Sequence, residues 1–423
     1  DEEAEYDPYL CRNVENAMTN NEAIISVMKC ALGTGCLAMP LAFYNSGYIN
    51  GVIGTITLGI ILVYAIHILA TYVLCKRYRV PSLTYRESME LALLQGPAYL
   101  CRFSRFAGLV VDVFQAMFHF GICCVYVLFI SETLKEVIHW NSMEIPLRLY
   151  LILMVLPLIL IFSIQNFRNL VPYSFAANIM IIIGLSIVFV HLCYDLPKLS
   201  ERVPFQNIRQ LPLFYGTIVF ALESVGVLIA IEANMQSPKD YLGLFGVLNQ
   251  GMVVVIFIYI MMGFYGYWHY GDETRGNIIL NLPNIVLNQI VQIIYAISIY
   301  FSYALQGYVT VNIVWRQYMS KNIYDNWHVS LETVVRIIFV LILVCVLVPD
   351  FDLVLPLVGS SCISFLGLIF PAIIDLCTRY QDGFGDQMIH LVVDIFMILL
   401  GTVGGVTGTF TGIMGLYYRP QDQ

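Results

Sequence analysis

Long apolar runs separated by short polar connections organise this chain from end to end. A helix that crosses a bilayer needs about 20 mostly apolar residues. Eleven stretches meet or approach that length: 23–44, 48–75, 107–138, 147–164, 171–194, 212–235, 242–267, 283–315, 331–348, 353–376 and 388–416. Both tails and the connection at 195–211 are polar, and no low-complexity linker divides the chain. The pattern predicts one all-α polytopic membrane unit.

Composition agrees and removes the soluble alternatives. Hydrophobic residues make up 59% of the 423 positions and charged residues 12%, about half the charge of an average soluble domain. The net charge of −8 owes much to the tail acids Asp1, Glu2, Glu3, Glu5 and Asp7, so it says little about partners. Nothing resembles a basic nucleic-acid face. The eleven Cys are scattered, mostly inside apolar runs, where Cys behaves as a small hydrophobe. No Asn-x-Ser/Thr sequon and no cleavable signal peptide occur, and a start at Asp1 leads us to expect that part of a cytosolic tail has been trimmed.

Orientation follows from Lys and Arg. With the N-terminus cytosolic, thirteen of the 21 basic residues fall on the cytosolic side and seven opposite, with Lys29 inside a span. That bias predicts a cytosolic loop at 75–105 and the 195–211 loop on the far side. An odd number of spans places the C-terminus outside or in a lumen.

Two spans are interrupted at mid-membrane depth. The first reads Lys29-Cys30-Ala31-Leu32-Gly33-Thr34-Gly35, the sixth Phe220-Ala221-Leu222-Glu223-Ser224-Val225-Gly226. Glycine weakens a helix by roughly 1 kcal/mol relative to Ala, and freed backbone groups are tolerated at that depth only where protein or a wet cavity satisfies them. The breaks lie five spans apart. Since five is odd, a second five-span unit enters the membrane inverted, and matched breaks in inverted halves point to a transporter site. The units are a tail at 1–22, a first repeat at 23–194, a loop at 195–211, a second repeat at 212–376, and an eleventh helix with its tail at 377–423. A half-helix that begins at a break offers N–H groups to a carboxylate, and one that ends there offers carbonyls to an ammonium. One unwound pair thus suits a zwitterion. A single Gly-x-Gly is more often a packing face; two matched breaks, one beside an intramembrane carboxylate, reverse that weighting.

At these residues the chain resembles the proton-coupled amino acid transporter family of the amino acid/auxin permeases, its insect members in particular. The similar stretches are Arg12-Asn13-Val14-Glu15, LGTGCLAMPLAFYNSG at 32–47, LPLFYGTIVFALESVGVLIAIEANM at 211–235, ILNLPN at 279–284 and YALQGYV at 303–309. The resemblance implies the leucine-transporter fold, a 5+5 inverted repeat plus an eleventh helix. It also implies small neutral amino acids (glycine, alanine, proline) as substrates, protons as the coupling ion with no other cofactor, and the plasma membrane or the lysosomal or late endosomal membrane as location. Gly33, Thr34, Gly35, Phe220 and Glu223 match the family's substrate-binding breaks, and Glu232 an acidic position beyond the second. The family's histidine three residues before Lys29 is Ser26 here, its small residues after the lysine are Cys30 and Ala31, and its glycine after Glu223 is Ser224. A serine hydroxyl does not titrate near neutral pH as imidazole does, so coupling would fall to Glu223, for which burial must favour the protonated form.

Lys29 and Glu232 lie on the cytosolic sides of the two breaks, within reach of one another, as coupling or gating residues. His67, His119 and His191, with Tyr126, Tyr303 and the Cys123-Cys124 pair, read as packing; Asp112, near a span end, reads as wetted. No metal box or nucleophile motif suggests an enzyme, and no filter of carbonyls suggests a channel. The leading expectation is a monomeric secondary transporter in membrane lipid. The alternatives are a proton-independent facilitator or exchanger, or an amino-acid sensor with little flux.

Overall fold

The computed structural model describes residues 6–9, 11, 17–69, 72–139, 146–163, 167–222, 225–283, 285–319, 328–346, 350–381, 383 and 388–418. Helices account for nearly all of the described chain. Its pairing outside helices is a single parallel bridge between Met18 and Met235.

Each apolar run of the sequence coincides with a helix or a broken pair. The first run is α1 (Asn20–Ala31) followed by α2 (Thr34–Ser46), bent by 55° at the break. α1 starts at a capping box: Glu22 N–H donates to Thr19 Oγ1, and Thr19 N–H donates to the Glu22 carboxylate at 2.9 Å. That exchange satisfies two of the donors a helix start leaves free. Next come α3 (Tyr48–Leu69) and α4 (Tyr72–Tyr78), then the short α5 (Tyr85–Gln95) and α6 (Ala98–Cys101). α7 (Ser104–His139), α8 (Leu147–Phe162) and α9 (Phe167–Leu192) complete the first half. The second half opens with another broken pair, α10 (Leu211–Ala221) and α11 (Val225–Ala233). It continues through α12 (Val247–Tyr270), α13 (Val286–Asn312) with a wide π-turn tail, and α14 (His328–Val346). α15 (Phe351–Val358) runs through a π segment (Gly359–Ile369) into α16 (Phe370–Arg379), and α17 (Ile389–Tyr418) closes the chain.

Among the described residues seven helices are long and apolar enough to cross a membrane, and the bent first pair makes eight. α8 and most of α9 are shorter apolar helices, and α14 has 19 residues. Burial ranks the helices from centre to hull. The most apolar window of the α10–α11 span is 79% buried, that of α17 only 22%. Outer faces of α8 and α17 present rows such as Ile152, Leu153, Leu156 and Val403, Val406, Phe410, as a helix in hydrocarbon does.

The polar connections separate to opposite ends. The 195–210 segment closes the end where α2 and α12 finish: Gln206 N–H donates to Ser46 O at 3.0 Å, and Arg202 Nε donates to Trp268 O at 2.9 Å. α4 and α5 close the other end, where Arg77 Nη1 reaches the Thr378 carbonyl of α16. Asp112, expected to be wetted, is only 2% exposed. It accepts from Arg86 Nη1 at 2.7 Å and from Tyr318 Oη at 2.6 Å, so a charge near a span end is buried with its partners instead of solvated. No disulfide joins the described cysteines.

Candidate functional site

The two breaks meet. α1 loses its regular ladder at Leu32, whose N–H still reaches Met28 O, while Gly33 turns back to bond Ala31 O. α2 restarts at Thr34, and a helix start leaves its first N–H groups without intrahelical acceptors. On the other side α10 ends at Ala221 and α11 begins at Val225. Glu223 and Ser224 lie outside the described residues, as do the Arg12–Glu15 motif, Lys321 and Arg419.

Gly35 lets the breaks touch. A Cβ there would lie 2.6 Å from Ala221 Cα and 2.9 Å from Ala221 Cβ, whereas one on Gly33 would meet nothing within 4 Å. The two glycines therefore differ in what they do: Gly33 opens onto space, and Gly35 brings two backbones together.

That space is a cavity of about 360 Å³, walled by Gly33, Thr34, Gly35 and Phe220 from the breaks. Phe118, His119, Ile122 and Tyr126 of α7 supply the facing wall, with Gln306 and Val309 of α13. A second compartment of about 310 Å³ shares Gly33, His119, Tyr126 and Gln306 and extends past Lys29 to Asn178 and Ser302. His119 Nδ1 and Gln306 Oε1 lie 2.7 Å apart, joining the α7 and α13 walls through a polar pair. Phe118 and Phe220 pack edge to face at 6.3 Å.

Electrostatically the site carries both signs through its helix ends. Starts of α2 and α11 direct partial positive charge into it, and ends of α1 and α10 direct partial negative charge. Tyr259 of α12 addresses both negative ends. Its hydroxyl, on a fully buried side chain, faces the Ala31 carbonyl and, at 2.8 Å, the Ala221 carbonyl. Lys29 is the one charged side chain on the described lining.

Of the residues singled out from sequence, Gly33, Thr34, Gly35 and Phe220 come together on the cavity and Lys29 borders its second compartment. Glu232 lies off the cavity, 3% exposed beside Tyr241. Ser26 donates to Glu22 O at 2.7 Å, a turn back along α1, and lines neither compartment. His119 and Tyr126, read as packing, are cavity residues instead. Gln306 was not singled out, although it sits inside the YALQGYV stretch. Tyr303 is packing, fully buried against Phe162, and His67 bonds its own helix at Val63 O.

Comparison with known proteins places this architecture. A family model described as transmembrane amino acid transporter protein matches residues 17–414. The proton-coupled amino acid transporter-like protein pathetic of Drosophila melanogaster is 33% identical over 413 residues, spanning 97% of this chain and 88% of that protein. Amino acid transporter AVT3A of Arabidopsis thaliana is 26% identical over 402 residues, spanning 92% of this chain and 88% of that one. Among solved structures, a substrate-bound, outward-open Na⁺-coupled sialic acid symporter superposes with a TM-score of 0.56 at 13% identity, covering 99% of this chain and 92% of the other. Inward-facing Mhp1 gives 0.58 at 12% identity over 96% and 90%. The fold is the leucine-transporter fold, five helices and an inverted five with an eleventh appended.

Proposed function

The chain belongs to the transmembrane amino acid transporter family, and we propose that within it this protein carries small neutral amino acids by proton symport. One observation supports the substrate class above the rest: the two breaks share a cavity whose described wall is apolar apart from amide, hydroxyl and imidazole groups and Lys29. N–H groups at the start of α2 suit the carboxylate that every amino acid carries. Phe118, Ile122, Phe220 and Val309 offer an apolar surface to the side chain, which disfavours a charged one. The glycine, alanine and proline class rests on the family resemblance, as does a plasma or lysosomal membrane with the N-terminus cytosolic. On that topology residues 23–194 and 212–376 are the two repeats, and the protein works as a monomer in lipid.

Glu223 is the proposed proton carrier. In sequence it falls between the end of α10 and the start of α11, and Ser26 has no titratable group to serve instead. Uptake into proteoliposomes across a panel of neutral amino acids at two external pH values tests both parts. Accumulation of glycine, alanine or proline that rises with an inward proton gradient, and loses that rise in Glu223→Gln, is the expected result. Uptake indifferent to pH removes symport. A pH response that appears only in Ser26→His assigns this chain to facilitated diffusion or exchange.

A further inference from the structure

α17 contributes a carboxylate to the interior of the bundle at a place the transport cavity does not reach. Its buried face runs Asp394, Met397, Gly401, Gly405, Gly408 and Gly412, a spacing of three and four that keeps one side of the helix against α15, the π segment and α16. Small residues and one methionine explain how that side packs closely. They do not explain an aspartate, which is fully buried. Among the described residues neither oxygen of Asp394 has a hydrogen-bond partner.

The charged groups that act on it are Asp375 and Arg379 of α16. Arg379 is committed: its Nε donates to both Asp375 oxygens, at 2.8 and 2.9 Å. One guanidinium therefore serves two carboxylates, and a second negative charge in this buried place is costly unless it too is paired. Both carboxylates offer only acceptors when ionised. A hydrogen bond between them forms only through a proton, as in carboxylate pairs that share one.

We propose that Asp375 and Asp394 form a proton-binding site, separate from the substrate cavity, through which the pH at the α4–α5 end of the bundle sets the rate of transport. Access is built in. Asp375 and Arg379 line a cavity of about 270 Å³ with His67, Tyr72 and Thr378, all at that end of the molecule. With the proton bound, α16 and α17 are joined by a carboxyl–carboxylate hydrogen bond; without it, two like charges face one another and the helices are pushed apart. The consequence reaches the substrate, because α16 continues the π segment whose Gly359 lies against Phe220 of the cavity wall. Transport is thus fast when that end is acidic and slows as its pH rises.

Other titratable or charged groups face this cluster and must be separated from it. Tyr64 of α3 is close to both carboxylates and pairs with His390 Nδ1 of α17 at 3.2 Å. His67 of α3 and Tyr72 of α4 line the access cavity, and Arg77 of α4 reaches the Thr378 carbonyl.

The test uses full-length protein in proteoliposomes, with exchange of labelled for unlabelled substrate measured while the pH at the α4–α5 face is varied and the other face held constant. Exchange needs no net proton flux, and the Asp394 variants separate this site's response from that of a coupling proton. Wild type is expected to lose rate as that pH rises. Asp394→Asn, which donates to Asp375 as the protonated acid does, is expected to keep the acidic rate at every pH. Asp394→Glu should restore the response, and His390→Gln and His67→Gln should leave it in place. Infrared difference spectra of the purified protein provide a second readout: a protonated-carboxyl band at neutral pH in wild type, lost in Asp394→Asn. It should also be lost in Asp375→Asn, which frees Arg379 to pair with an ionised Asp394. A wild-type pH response in Asp394→Asn, its disappearance in His390→Gln instead, or an unchanged carboxyl band in both aspartate variants overturns the proposal.

Discussion

Replacing each glycine of the first break in turn separates packing from binding. In Gly35→Ala the new methyl must occupy a point 2.6 Å from Ala221 Cα, where carbon atoms at rest prefer about 3.5–4.0 Å. Neither atom lies on a flexible side chain, so relief requires moving α2 away from α10. Overpacking of this kind costs about 1–3 kcal/mol, which at about 1.4 kcal/mol per factor of ten lowers the population of the closed break roughly 5- to 150-fold. Gly33 has φ −128°, outside the left-handed region, and no atom within 4 Å of its added Cβ. Gly33→Ala is expected to stay within about 0.5 kcal/mol, as other uncrowded substitutions do. Gly33→Leu projects into the cavity and should raise KM with little change in thermal stability. The assay is initial-rate uptake against substrate concentration in proteoliposomes, with melting temperature of the same preparations as the control. Gly35→Ala should lose rate and stability together. If Gly35→Ala melts and transports like wild type, the two breaks do not pack as described; if Gly33→Leu keeps a wild-type KM, the cavity is not where substrate sits.

Tyr259→Phe removes the one hydroxyl facing Ala31 O and Ala221 O and leaves a buried carbonyl without its donor, which costs about 1–3 kcal/mol; lowered thermal stability and slower uptake are expected, and unchanged values for both would refute the role. Gln306→Leu removes the partner of His119 on the cavity wall and should raise KM for amino acids while leaving expression intact; a variant with wild-type KM would place the pair outside the substrate's reach. Single cysteines introduced at exposed Glu87 and Ile208 should be labelled by an impermeant reagent from opposite faces of the membrane. Labelling of both from one face would contradict the placement of α5 and the 195–210 segment at opposite ends of the bundle.

The helices were legible because the membrane imposes so strict a requirement on them. Each run long enough to cross is a helix, since backbone polar groups in hydrocarbon have few other ways to be satisfied. The break of the first span was legible for the complementary reason: Gly33-Thr34-Gly35 places two poor helix formers where the ladder can least afford to lose bonds. The π segment at Gly359–Ile369 was not, because its composition (GSSCISFLGLI) is that of an ordinary small-residue membrane helix, and the extra residue per turn is fixed by what packs against it. Asp112 was misread because closeness to a span end says nothing about neighbours. Arg86, which buries it, arrives from 26 residues away, and Tyr318 from 206.

The walls of the site were harder to read than its breaks, and α7 shows why. Its 36 residues are apolar around the whole circumference, because one side meets lipid and the other meets protein of similar polarity. Periodicity, which marks the inner face of a soluble helix, therefore carries no signal here, and nothing separates Phe118, Ile122 and Tyr126 on the cavity from Val113 and Met117 on the outside. Polar residues inside such a helix are the better guide, because each must find a partner at that depth. His119 finds Gln306, and both line the cavity. Tyr259 was beyond this test as one of 28 tyrosines, most of which pack by their rings. What sets it apart is that its hydroxyl meets two carbonyls at two helix ends, and only the assembled fold brings Ala31 and Ala221 together. A partnered intramembrane polar group thus points to the neighbour that satisfies it. Asp394, with no donor on either oxygen among the described residues, points instead to a proton.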